Sequence, residues 1–274
     1  MRRGIDSIAS VQPTGPRLVN PYLCEMNSPL PHDHIIPFKK SEKSKKEQVA
    51  EMFDVIAARY DKMNRFLSAR TDLIWRKKAI KELQKHQPRV ILDVATGTGD
   101  MAIMACKFLQ PEKIIGIDIS HEMLEVGRKK IEKEGLGTKI DLQSGDSETI
   151  NFAENTFDAV MAAFGVRNFE KLETGLGEMY RVLKPGGKLV ILEFSKPQRK
   201  IVRGLYNLYM GLVAPSIARW FRQNKEAYTY LCESSNAFPD RQQFVDILNK
   251  IGYSDTRFKS LSLGICCIYT GRKP

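Results

Sequence analysis

From Lys45 onward the apolar positions follow two alternating rhythms. Val49, Met52, Phe53, Ile56 and Tyr60 recur at i, i+3, i+4, i+7 and i+11, the single stripe of a helix that buries one face. The polar segment from Tyr60 to Asn64 predicts its end. A second helical pattern runs from near Asp72 through Trp75 to Leu83. Short apolar runs then take over, each followed by a helical pattern. Strands are predicted near 89–94, 113–118, 139–144, 157–163 and 188–194, with helices near 100–109, 120–134 and 171–183. Gly135 and Gly137 stop the 120–134 helix as C-terminal glycines do, and Lys184-Pro-Gly-Gly187 predicts a turn. The chain closes with a helix near 241–251 and strands near 254–262 and 264–271. Strands separated by helices imply a parallel sheet with right-handed crossovers, and the closing hairpin adds one antiparallel strand. The predicted fold is therefore α/β: a Rossmann-like, seven-stranded, mostly parallel sheet with one antiparallel strand and helices on both faces.

Two stretches depart from this rhythm. Residues 1–44 are rich in Pro, Ser and Asn without periodicity and read as a disordered basic tail, in which Met26 offers a second translation start. Residues 201–221 are strongly apolar and aromatic, but Arg203, Pro215 and Arg219 interrupt them, so they make a poor membrane span. With basic flanks on either side, the region 197–235 reads as a helical insertion facing lipid or an apolar ligand. The two helices before the first strand can close over a binding site as a lid. The main domain then spans 45–274.

Composition narrows the classes. The chain of 274 residues is 42% hydrophobic, which suits one large core and excludes a membrane-embedded or low-complexity protein. A net charge of +11 could signal nucleic acid, but the basic residues are scattered with few interleaved aromatics, which favours no nucleic-acid partner. Of the five cysteines none forms a Cys-x-x-Cys pair, so reduced thiols in a cytoplasmic protein are expected rather than disulfides or a metal site. Cys266 and Cys267 are adjacent and should point to opposite faces of a strand. His32, His34, His86 and His121 all read as solvated surface, and no metal is expected.

The chemistry concentrates at Val90-Ile-Leu-Asp-Val-Ala-Thr-Gly-Thr-Gly-Asp100. A strand, a Gly97-x-Gly99 turn and a helix open a nucleotide-type binding unit. Asp118 ends the next apolar run about 20 residues on, where an acid accepts both ribose hydroxyls. Asp146 and Ser147 follow the third strand, where the acid can take an adenine amino group and Ser147 a backbone contact, with Ile119 or Met123 as a ring wall. With Asp93 these residues describe an acid-rich cleft without phosphate-binding cations. Such a site suits S-adenosylmethionine (SAM), which carries a sulfonium and an ammonium, better than a dinucleotide.

Asp93-Val-Ala-Thr-Gly-Thr-Gly-Asp100 with Asp118 resembles the class I SAM-dependent methyltransferases. Tyr60-Asp-Lys-Met-Asn64 with Ser68 and Trp75, Phe164-Gly-Val-Arg-Asn168, and Arg181-Val-Leu-Lys-Pro-Gly-Gly187 running to Glu193-Phe-Ser195 resemble the ubiquinone/menaquinone-biosynthesis C-methyltransferases (UbiE/MenG type) from about residue 46 to the end. Asp72 departs from the pattern, which usually has His or another large polar residue there, and Ala163 stands where some members carry a hydroxyl. The resemblance implies a class I methyltransferase fold and methylation of a ring carbon on a polyprenylated quinol. On the matched positions Thr98, Asp118, Asp146 and Ser147 would contact SAM, above the turn of Gly97 and Gly99. Arg167 and Asn168 would hold the quinol oxygens, and Tyr60 would close over the ring. The missing His at position 72 favours demethylmenaquinol over the methoxy-benzoquinol of ubiquinone synthesis. Contact with the inner face of a membrane is expected, and oligomeric state, homo-oligomer included, stays open. The rival readings are an NAD(P)-dependent oxidoreductase, a nucleic-acid methyltransferase and a non-catalytic SAM-binding module.

Overall fold

A computed structural model describes residues 30–209, 211 and 225–274. Met26 and most of the predicted tail, with part of the 201–221 stretch, lie outside the described residues. The first helix, α1, spans Lys45–Leu67 and starts at a capping box in which Ser44 and Glu47 each accept the other's backbone N–H. It runs past the end expected at residues 60–64. No Gly or Pro breaks it there, and Met63 carries the buried stripe a further turn. The stop comes at Ala69 and Arg70, both at positive φ. Helix α2 follows at Thr71–Gln84.

The strands are β1 (Val90–Val94), β2 (Lys113–Asp118), β3 (Ile140–Ser144), β4 (Phe157–Ala163), β5 (Leu183–Phe194), β6 (Ser254–Leu261) and β7 (Cys266–Arg272). Between them lie α3 (Asp100–Leu109), α4 (His121–Lys133), α5 (Leu172–Val182), α6 (Lys200–Leu208), α7 (Lys225–Ala237) and α8 (Gln242–Ile251). One seven-stranded sheet has the order β3-β2-β1-β4-β5-β7-β6, and β7 alone runs antiparallel to its neighbours, as the closing hairpin predicts. The turn expected at 184–187 is absorbed into β5 as a register shift against β4, with Gly186 at φ +76°; the even ladder begins at Lys188.

Alternation along the strands divides the core. Leu92, Val160 and Ile191 face α5 and α8, where Leu176, Met179, Phe244 and Leu248 meet them. Ile91, Met161 and Val190 face the other way, against Ile80 and Leu83 of α2 and Met101 of α3. Cys266 and Cys267 fall on these opposite faces. Helix α2 is therefore a layer of the core as much as a cover, while α1 packs across α4 at the carboxyl ends of the strands.

Two expectations about the N-terminal segment need correcting. Residues 30–44 do not trail away: Pro31–His34 forms a 3-10 turn, and His32 is fully buried, not solvated. The Lys45 ammonium donates to the His32 carbonyl at 2.8 Å, Phe38 N–H donates to Gln48 at 2.8 Å, and the His32 ring meets Phe238 edge-on. The apolar stripe of α1 and the ring of Phe238 give this polar-looking segment a surface to close. Neither ring nitrogen of His32 has a hydrogen-bond partner among the described residues. Burial first, and the Lys45 charge second, hold its pKa down to about 3.

The unfolded chain takes up a proton at His32 near pH 6.5, whereas the folded chain resists it to about 3. The wild-type protein should therefore lose stability as pH falls through that window, by an amount on the order of a few kcal/mol. Thermal melts across a pH series should show His32→Leu losing less stability than wild type over the same window.

Candidate active site

The glycine turn fixes the first wall. Ala95, Gly97 and Gly99 take φ of +54°, +58° and +75°, a left-handed run in which glycine relieves the Cβ clash. Thr96 and Gly99 close it through Gly99 N–H to Thr96 O at 3.0 Å. Opposite, at the end of β4, a Cβ on Gly165 would stand 2.5 Å from the Ala95 Cβ, so only glycine lets the two strand ends approach. The sheet order reverses between these two strands, the position where α/β sheets open a binding crevice.

A cleft lies there, lined among others by Gly97, Thr98, Asp118, Ile119, Met123, Asp146, Ser147 and Asn168. Of the expected cofactor residues, Gly97, Thr98, Asp118, Asp146 and Ser147 are thus brought together, while Gly99 shapes the turn without lining the cleft. Asp118 accepts from Gly97 N–H at 2.7 Å and from Ser120 N–H at 2.9 Å, one bond on each oxygen, which leaves each oxygen a lone pair for a hydroxyl. Burial pushes its pKa up, and these backbone donors resist the shift.

The acids are less free than the sequence implies. Asp93 does not line the cleft. It is 1% exposed, accepts from Thr96 Oγ1 at 2.7 Å, and burial pushes its pKa up to about 7. It points to the same sheet face as Ile91, under α3, because side chains two apart on a strand share a face. Asp146 accepts from Glu148 N–H at 2.9 Å and from the Lys46 ammonium of α1. Burial works against the Lys46 charge, but the bond to Asp146 and the nearby Glu148 outweigh it and leave its pKa raised. Thr98 Oγ1 donates to Asp61 at 2.7 Å, and Lys130 reaches both Asp61, at 2.7 Å, and Thr98, at 3.1 Å. Arg65 then bridges Asp100 to Asp72. The acids are partly paired, but the cleft stays acidic: Asp100, Asp118, Asp146, Glu148 and Glu170 line it against the cations Lys46 and Arg76.

Behind α1 lies a second cavity, of about 310 Å³, within the range of small-molecule sites. Its wall is mostly apolar and aromatic, from Met52, Ile56, Met63 and Leu67 of α1, Trp75 of α2, Phe164, Phe194, and Tyr206, Tyr209 and Tyr230 of the 197–235 region. The cleft and this cavity share five residues: Phe53, Tyr60, Arg76, Phe164 and Asn168. Tyr60 and Asn168 therefore stand at the junction. Arg167 lines the cavity only. It is 4% exposed, with Nη1 donating to Glu193 at 2.9 Å and to the Phe164 carbonyl, and it lies over the Phe194 ring. Burial opposes its charge, and Glu193 more than restores it. Arg167 Nε and Asn168 Oδ1 have no hydrogen-bond partner among the described residues. Asp72 also borders the cavity, its carboxylate taken by Arg65 and by Ser68 Oγ at 2.7 Å.

Sequence reasoning missed Arg76, Lys46, Phe164 as a shared wall, and Tyr230. Phe53 and Tyr60 share a helical stripe at i and i+7, which could have flagged Phe53. For Tyr230 and Lys46 no local signal exists.

The family profile described as ubiE/COQ5 methyltransferase family matches residues 41–273. A Bacteroides fragilis protein named demethylmenaquinone methyltransferase is 46% identical over 243 residues, covering 89% of this chain and 99% of that protein. A Geotalea daltonii protein named ubiquinone/menaquinone biosynthesis C-methyltransferase UbiE is 44% identical over 237 residues, covering 86% of this chain and 100% of its own. Among solved structures, a SAM-dependent methyltransferase from Thermotoga maritima superposes with a TM-score of 0.57 at 19% identity, over 82% of this chain and 99% of that one, which supports the fold. On the strength of this match over nearly the whole described domain, the chain belongs to the ubiE/COQ5 methyltransferase family.

Proposed function

We propose that this methyltransferase transfers the methyl group of SAM to a ring carbon of a polyprenylated hydroquinone, with demethylmenaquinol as acceptor and menaquinol as product. One observation carries the reading. A polar cleft over a glycine turn and an apolar cavity meet at a common wall of Phe53, Tyr60, Arg76, Phe164 and Asn168. Methyl transfer needs donor and acceptor in line and dry, and a shared aromatic wall favours both. Alignment of this kind is worth roughly 7–11 kcal/mol.

SAM supplies a methyl group already activated by its sulfonium. Gly97, Gly99, Thr98, Asp118, Asp146 and Ser147 would hold it, with the free lone pairs of Asp118 suited to ribose hydroxyls. Asp146 would exchange its Lys46 partner for the adenine amino group. In the apolar cavity the chain's own residues do the rest. Arg167 stabilises the negative charge that develops on a phenolic oxygen; it keeps its proton, so it is not the base. Asn168 Oδ1, unpartnered among the described residues, accepts from a ring hydroxyl. Tyr60 covers the ring. The relative named demethylmenaquinone methyltransferase, and Asp72 in place of the family's usual His, favour a naphthoquinol over a benzoquinol.

The isoprenoid tail calls for an apolar exit. No helix among the described residues is long and apolar enough to cross a membrane. Four large apolar side chains are nevertheless exposed, each next in sequence to a residue that lines the cavity. Trp75 Nε1 donates to Ser262 Oγ at 2.8 Å, which sets their exposed chain neighbours Ile74 and Leu263 together. Tyr209 OH donates to Leu67 O at 2.7 Å, which does the same for Leu208 and Phe66. All four bonded residues line the cavity, and we read their exposed neighbours as its rim. Exposed Arg70, Lys200 and Arg203 stand nearby in sequence. This rim suits the cytoplasmic face of an anionic bilayer.

Incubation with methyl-labelled SAM and each quinol should give a singly methylated naphthoquinol; a product from the benzoquinol alone reassigns the acceptor, and no product from either removes the proposal. Arg167→Ala would strand the buried Glu193 carboxylate, so Arg167→Lys is the cleaner variant. It should lower turnover roughly 10- to 100-fold while SAM affinity holds. In sedimentation with phosphatidylglycerol vesicles, Ile74→Glu with Leu263→Glu should lose most of the bound protein yet keep turnover of a short-chain, water-soluble quinol.

A further inference from the structure

Four tyrosines line the acceptor cavity: Tyr60, Tyr206, Tyr209 and Tyr230. Two have an evident use for their hydroxyls. Tyr209 donates to the Leu67 carbonyl, and Tyr60 has the Asn64 side chain as a hydrogen-bond partner. Tyr230 is different. It projects from α7, is 2% exposed, and packs with Val49 and Met52 of α1. Its hydroxyl is buried and has no hydrogen-bond partner among the described residues. A buried hydroxyl without a partner costs about 1–3 kcal/mol, and folded proteins leave few of them. Phenylalanine would fill the same space without that cost.

Its neighbours indicate what the hydroxyl is for. Arg167 and Glu193 are close enough for their charges to act on the phenol, and Arg167 has its own unpartnered Nε on the same cavity wall. Two residues with an unspent donor thus line one mostly apolar cavity. Burial drives the Tyr230 pKa far above the usual phenol range, against the pull of Arg167, so the group stays a neutral donor and does not act as a base.

We infer that the Tyr230 hydroxyl donates a hydrogen bond to a ring oxygen of the hydroquinone acceptor, beside Arg167, and so selects a ring with an oxygen at that position. This rests on the quinol reading above and adds to it a residue from a helix that carries no recognisable motif.

Tyr230→Phe removes one oxygen atom and keeps the ring. If the hydroxyl serves the acceptor, the variant melts no lower than wild type. Its kcat/KM for the quinol drops roughly 5- to 30-fold, and its KM for SAM stays within twofold. Two acceptor analogues, each lacking one of the two ring hydroxyls, complete the test. With one of them wild type and variant should turn over alike, because the oxygen that Tyr230 contacts is already gone. Equal kcat/KM on the full quinol overturns the inference while leaving the quinol reading intact. So does a lower melting temperature with the same loss on both analogues, which would mark the hydroxyl as structural. Failure of wild type to bind or methylate any hydroquinone overturns both.

Discussion

A single hydrogen bond, from the Gly97 N–H to the Asp118 carboxylate, ties the end of β1 to the end of β2 and sets the floor of the site. Glycine's positive φ turns the N–H outward, and the carboxylate receives it at a depth where an unpaired charge would be costly. The same carboxylate also takes Ser120 N–H, at the start of α4. The turn, the second strand and the following helix are therefore one unit. The close approach of Gly165 to Ala95 sets the opposite wall with equal economy.

The roof is held by charge instead. Helix α1 reaches across the strand ends through Lys46 to Asp146, Asp61 to Thr98 and Lys130, and Arg65 to Asp100 and Asp72. These groups are partly exposed, so each pair alone contributes little. As a linked set they fix the rotation of α1, and with it the direction in which Phe53 and Tyr60 face. The buried pair Arg167–Glu193 has another character. It cannot be broken at one end without stranding a charge, so the cationic wall of the acceptor cavity is tightly specified.

The sheet was legible because most of its strands are buried on both faces and read as short apolar runs between helical patterns. The glycine turn and Asp118 were legible for the same local reason. Asp93 was misread, since a one-dimensional pattern shows an acid near a turn but not which face of the strand it leaves from. The ion pairs were illegible: Lys46 and Asp146 lie 100 residues apart and Arg65 and Asp100 35 apart, with nothing local to pair them. Burial of His32 was equally hidden, because it depends on Phe238 far along the chain. The end of α1 failed through overweighting polar residues, although an exposed helix face tolerates them without breaking.

The common wall between the two cavities has a consequence for how such an enzyme can diverge. Phe53, Tyr60, Arg76, Phe164 and Asn168 each border both the polar cleft and the apolar cavity. A substitution that reshapes the ring pocket at any of them also reshapes the donor's bed. Natural drift toward new acceptors is thereby steered away from the partition, toward α7 and the rim, where a change alters only what is methylated.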